Sequence, residues 1–385
     1  MKKTGMLLSL ILLAGMAALY ISCSSSSPSS PAASSPAATA TSTVTLTPTP
    51  SWKVVGTAGF SAGAASFTSL VFNNSGTPYL AYADAGNGGL ATLMSYNGSA
   101  WSAVGSAGFT SGQASYTSLA FNGSFPFVAY QDGANSNKAT VMDYSGSWAI
   151  LGGAGFSAGT AGYVSLAFNG TTPYVAYQDH GNSNKATVMM YNGTNWSVVG
   201  SAGFSAGAAP YVSLAFNGTT PYVAYSDGGN SSKLTVMMYN GVSWVNVGTA
   251  GISSGLASYV SMAFNGTFPY VSFEDNAAGN KITVMMYNGT NWSNVGSAGF
   301  SGAGNSLYTS MAINGTTPYV AYSDGAGSQK ATVMTYNGTN WVNVGSADFS
   351  AGEADWVSLA FNNNNPYVAY EDYGNSNKAT VMEFH

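Results

Sequence analysis

The chain contains no arginine, one cysteine (Cys23) and two histidines (His180 and His385), and only 6% of its 385 residues are charged. Each scarcity removes a class of function. A lone cysteine excludes an internal disulfide. Two histidines exclude a metal site built from three of them, and a Ser-His-Asp triad would have to use one of the two. Nine basic residues, all lysine, and a formal net charge of −5 leave no basic stripe to follow a phosphate backbone, which argues against nucleic acid. Hydrophobic residues make up 45% of the chain. Past the N-terminal leader they come in runs of about six bounded by turns, too short to cross a bilayer as helices. A lipid-facing barrel is disfavoured too, because both faces of these runs are apolar: Val175 and Tyr177 on one side, Tyr174 and Ala176 on the other.

What the chain has in abundance is repetition. Trp52, Trp101, Trp148, Trp196, Trp244, Trp292 and Trp341 recur at intervals of 47–49 residues, each opening a near-copy of one unit. Four short runs per unit, at 163–168, 173–179, 185–191 and 196–200 in one copy, are rich in Val, Tyr, Phe, Thr and Ala and bounded by Gly, Asn and Pro, the composition of strands. Asn169-Gly170 and Asn192-Gly193 read as type I′ hairpin turns. Four antiparallel strands repeated seven times predict an all-β fold, a seven-bladed β-propeller. The array enters on a fourth strand (52–56) and stops on a third (378–385). Joining them completes the last blade and closes a ring without free strand edges.

Three segments follow: residues 1–23, 24–50 and 51–385. Lys2 and Lys3 precede an apolar stretch from Met6 to Ile21, the layout of a secretory leader. Its end, Tyr20-Ile21-Ser22-Cys23, resembles a bacterial lipoprotein processing site, although Tyr20 departs from the usual Leu. The resemblance implies lipidation of Cys23, and Ser24 after it implies outer-membrane delivery in Gram-negative cells. The alternative is an ordinary cleaved leader with an incidental cysteine. Residues 24–50 are nearly all Ser, Pro, Ala and Thr and read as a disordered tether.

Propeller geometry sorts the loops. The Asn-Gly turns share one face, whereas the second-to-third hairpins and the inter-blade segments share the other, where function is expected. Two rings of candidate ligand-binding residues fall on that second face. Asp84, Asp132, Asp179, Asp227, Asp275, Asp324 and Asp372 recur there, six of them followed six residues later by Lys. They read as turn caps paired with Lys across the hairpin mouth, or as repeated polar sites for a hydroxyl-rich ligand. Phe67, Tyr116, Tyr163, Tyr211, Tyr259, Tyr308 and Trp356 begin the innermost strands, near the mouth of the central channel. They suit inter-blade packing, the faces of sugar rings, or a partner's apolar side chains. A Phe in each inter-blade segment, replaced once by Ile252, reads as a hydrophobic plug.

Few residues break the symmetry, so the chain reads as no enzyme. His180 stands alone among its sister blades. Surplus acid collects near the last blade at Asp348, Glu353, Asp355 and Glu371, a weak candidate Ca²⁺ site without loop-type ligand spacing.

The region from Trp52 to His385 resembles bacterial secreted seven-bladed propellers built from amplified repeats. It lacks the Trp-Asp dipeptides of WD40 blades and the Gly-Gly doublet of kelch repeats, so no family's functional residues carry over. The reading that follows is a monomeric binding head, anchored by lipid at the cell envelope or surface, that recognises a protein or surface polymer. The alternative is a multivalent lectin with repeated carbohydrate sites.

Overall fold

The structure, a computed structural model, describes residues 49–385. Cys23, the leader and the Ser/Pro/Ala/Thr segment up to residue 48 lie outside the described residues. Strands assemble into seven separate four-stranded antiparallel sheets. In blade 3 they are Ala161–Asn169, Thr172–Asp179, Lys185–Tyr191 and Trp196–Val198, from the axis outward. Counting begins with the blade opened by Ala65–Phe72. Blade 7 is Ala354–Asn362, Asn365–Asp372 and Lys378–Phe384, and Trp52–Val54 supplies its fourth strand, pairing Trp52 with Phe384 and Val54 with Met382.

The Asn-Gly turns differ from their expected type. Between the paired Asn169 and Thr172, positive φ falls on Gly170 alone (+58°), as in a Gly-X two-residue loop rather than type I′. After Tyr191 the loop has four residues, because Asn192 Oδ1 accepts from the N–H groups of both Thr194 and Asn195. That Asx turn holds the chain open by two residues.

Blades are tied to their neighbours by repeated contacts at two radii. At the periphery each Trp donates its indole N–H to a carbonyl of the preceding blade, as Trp244 does to Val199 at 2.8 Å. At six junctions its ring stacks on the inter-blade Phe, with Phe204 and Trp244 centroids 4.3 Å apart, and Ile252 takes that place beside Trp292. Trp52 repeats this across the closure, donating to Val344 at 2.7 Å and stacking on Phe349. Near the axis, each repeated Ser accepts a backbone N–H from the next blade: Ser165 from Leu214, Ser213 from Met262 and, across the closure, Ser358 from Leu70, at 3.0–3.1 Å. These serines are inter-blade ties. The apolar core lies between sheets, where one blade's Ala176 and Val188 pack on the next blade's Val223 and Tyr225.

Candidate functional site

Asp84, Asp132, Asp179, Asp227, Asp275, Asp324 and Asp372 end the second strands and are 0–5% exposed. Each caps a single 3₁₀ turn. Asp179 Oδ1 accepts from the Gly181 N–H at 3.0 Å, and Oδ2 accepts from Asn182 Nδ2 at 2.7 Å and Thr187 Oγ1 at 3.0 Å. Asp132 and Asp372 are held by the same set of three partners. Lys185 sits across the hairpin from Asp179, but no Asp–Lys ion pair forms among the described residues. The aspartates are buried hairpin anchors, as the turn-cap reading expects, but without the expected pairing to Lys. Their oxygens are consumed locally, and their partners are an amide, a hydroxyl and a backbone N–H rather than lysine. Sequence reasoning missed the Asn and Thr, although Asn three residues after Asp and Thr eight after it recur in five blades.

The aromatic ring is built differently. Phe67, Tyr116, Tyr163, Tyr211, Tyr259, Tyr308 and Trp356 all have φ between +51° and +58°. Six sit in β-bulges, where the register of the first two strands shifts, as between Gly162 and Ser165, whereas Tyr211 follows Pro210 and precedes a first strand that begins only at Ser213. Left-handed backbone is costly for a bulky side chain, about 1–2 kcal/mol per residue, and glycine is the usual occupant of such a bulge. Here seven aromatics adopt that backbone and point along one ring. Neighbouring centroids are 4.9–5.1 Å apart from Phe67 round to Trp356, and Trp356 closes on Phe67 at 4.1 Å. Each such pair contributes about 0.5–1.5 kcal/mol beyond burial, an amount comparable to the backbone strain. The side chains remain half-buried and line an axial cup of about 440 Å³, floored by the next Thr or Val and by the Ser ties. That volume falls in the range of small-ligand sites.

Symmetry breaks at the rim. Just outside each bulge, two residues face each other across the first and second strands: Ser115 and Gln131, Gly162 and Gln178, Ser258 and Glu274, Asp355 and Glu371. These positions differ from blade to blade while the core repeats. Burial raises the Glu274 carboxyl to about 7, against a hydrogen bond from Ser258. Burial, then the nearby Asp355, raises Glu371 to about 7 as well. Ser66 Oγ donates to Glu371 at 3.4 Å. Asp355 accepts from the hydroxyls of Tyr373 at 3.2 Å and Tyr308 at 3.5 Å, and its other oxygen is buried without a partner. Burial, then Glu353, pushes the Asp355 carboxyl up. The rim thus carries carboxyl groups in blade 5 and in blade 7, with the neutral pair Leu307 and Ser323 between them.

The proposed Ca²⁺ ligands do not converge: among the described residues no three His, Cys, Asp or Glu side chains could hold a metal ion. Asp355 and Glu371 belong to the rim, whereas Asp348 lies beside Thr332, 3.4 Å from its Oγ1. Asp348 sits near Asp324, whose carboxyl is raised first by burial and further by Asp348. Glu353 accepts the Tyr373 N–H on its backbone carbonyl at 3.0 Å, and its charge acts on Asp355.

No protein-family model matches the chain, and no curated protein does. Solved structures do share its fold. An ulvan lyase, from a new family of polysaccharide lyases, is 11% identical with a TM-score of 0.58, over 85% of this chain and 94% of the lyase. The Aleuria aurantia lectin bound to α-methyl-L-fucoside is 14% identical with a TM-score of 0.51, over 76% of this chain and 98% of the lectin. The expectation that the chain is no enzyme is corrected: solved structures of this fold include a polysaccharide lyase, so the architecture and its repeated blades do not exclude catalysis.

Proposed function

We propose that this propeller binds carbohydrate in its axial cup, and that the leader and Cys23 hold it at the cell envelope, where the ligand is an extracytoplasmic polysaccharide. The observation that carries the reading is the closed ring of seven half-exposed aromatics, held on left-handed backbone around a cavity of about 440 Å³. Aromatic faces with polar edges match a sugar, which presents C–H faces and a hydroxyl rim. The bulge turns these side chains towards the axis although glycine would satisfy the backbone, and observed strain of that kind is a pointer to function. The sugar-bound lectin of the same fold supports the reading. Glu274, Asp355 and Glu371 favour a neutral or amine-bearing ligand over a polyanion.

Trp356 is the single tryptophan in the cup, since the other seven stand on the outer strands. Titrating the purified protein with methyl α-L-fucoside and with neutral hexasaccharides of glucose, xylose and N-acetylglucosamine should change Trp356 emission for one class. Trp356→Phe should remove that signal. A folded protein whose Trp356 emission ignores every member of the panel refutes the cup as a sugar site.

A further inference from the structure

The face that carries the Asn-Gly turns is not smooth. Clefts of about 550, 600 and 470 Å³ open there at the junctions of blades 3 and 4, 5 and 6, and 7 and 1. All three occupy one structural position. The wall from the leading blade is a second-strand Tyr and the residue paired with it on the third strand: Tyr174 with Met190, Tyr270 with Met286, Tyr367 with Glu383. The wall from the following blade is the Thr-Pro start of its second strand and the Tyr-Asn-Gly that ends its third, such as Tyr239-Asn240-Gly241.

The geometry of each cleft is fixed by a glycine. Gly200, at φ +73°, lies under the ring of Tyr239, and a Cβ there would come within 2.9 Å of Cε2. Gly296 and Gly56 stand in the same relation to Tyr336 and Tyr96, also at 2.9 Å. The tyrosine is thereby pinned against backbone beside the opening. At the rim, Asn240 Oδ1 is taken by the N–H groups of Val242 and Ser243 at 3.0 and 2.9 Å, which leaves its amide Nδ2 as a donor for a ligand. A pinned aromatic, a methionine wall and an amide with nearby hydroxyls form a shallow sugar-sized subsite, apolar on one side and hydrogen-bonding on the other.

We propose that these inter-blade clefts are a second set of carbohydrate subsites, repeated on the face opposite the cup and separate from it. The ligand class rests on the carbohydrate reading above; the location does not. The clefts are unequal. The wall residue is Met190 at one junction, Met286 at another and Glu383 at the third, so the subsites share a shape and differ in chemistry. Several weak subsites on one rigid body bind an extended polymer far more tightly than a single sugar, by mass action alone.

The test reads cup and clefts separately in the full-length protein. With ¹³C-methyl methionine, the methyl signals of Met190 and Met286 report the clefts, and Trp356 emission reports the cup. The probes are the fucoside and the three hexasaccharides. Saturable shifts of Met190 and Met286 are expected, unchanged in Trp356→Ala. They should vanish in Thr219→Trp/Thr316→Trp, whose exposed positions line two of the clefts. The same double variant should lose about tenfold or more in binding to an immobilised polysaccharide while its Trp356 titration stays intact. Thr219→Lys/Thr316→Lys serves if the tryptophan variant does not fold. Quenching of Trp356 with silent methionines overturns the clefts and leaves the cup standing. Methyl shifts that survive both obstructions overturn the clefts too. Silence of both reporters overturns this inference and the carbohydrate reading together.

Discussion

Two rings of seven residues circle the same end of the propeller, and their characters are opposite. The aspartates have ordinary extended backbone, with φ from −91° to −107°, almost no exposure, and bonds that stay largely within their own hairpin. The aromatics have left-handed backbone, half-exposed rings, and contacts that run from blade to blade. Repetition is the same in both, so repetition does not identify a site. What separates them is where their bonding capacity is used. The aspartate spends its oxygens inside the turn it caps, whereas the aromatic leaves a face open to the axis.

The largest effect should come from breaking the aspartate ring at one point. Asp179→Ala leaves Asn182, Thr187 and the Gly181 N–H without their acceptor. It should cost about 3 kcal/mol in urea unfolding, with sugar affinity of the folded fraction unchanged. The aromatic ring should respond in reverse. Tyr163→Ala and Tyr163→Gly should each weaken binding in the cup about tenfold or more. Yet the glycine variant should be the more stable by about 1 kcal/mol, because it relieves the left-handed bulge that alanine keeps strained. Equal stability of the two would show that the bulge is not under strain.

A third kind of aspartate sharpens the contrast. Asp348 has φ +55° at a position where the other blades place glycine, as at Gly203 and Gly251. Asp348→Gly removes both the strain and a like charge near Asp324, and should raise stability by about 1 kcal/mol in thermal unfolding. The smallest effect is electrostatic. Folded Glu274 and Glu371 hold their protons to about 7, against an ordinary 4.5. Between those values the folded state binds more protons than the unfolded one, so stability falls as pH rises from about 5 to 8. Glu274→Gln/Glu371→Gln should flatten that slope in melting temperature against pH.

The propeller was legible because three independent signals agreed: the tryptophan period, the Asn-Gly turns, and a last blade split between the two ends of the repeat region. The aspartate caps were legible as turn chemistry, but which oxygen met which donor depended on Asn182 and Thr187 folding back onto Asp179. The bulge was not legible, since nothing in an aromatic residue announces positive φ. Glu274, Asp355 and Glu371 were visible as surplus acid. Their gathering at the cup needed the pairing of Ser258 with Glu274 and of Asp355 with Glu371 across strands, which a linear count cannot show. The inter-blade clefts escaped because a tight turn was taken to mean a featureless face.

The join between Trp52 and Phe384 sets an order of events during synthesis. The strand that completes blade 7 leaves the ribosome before every other strand of the propeller, and its partner, Lys378–Phe384, leaves last. Six blades can pair from local sequence as they emerge, whereas the seventh must wait for a contact spanning the whole ring, the slowest kind to form. Until then Trp52 has neither Phe349 to stack on nor Val344 to receive its N–H. Until Lys378–Phe384 has been made, the propeller therefore keeps one open edge, and its closure is the latest of its strand pairings.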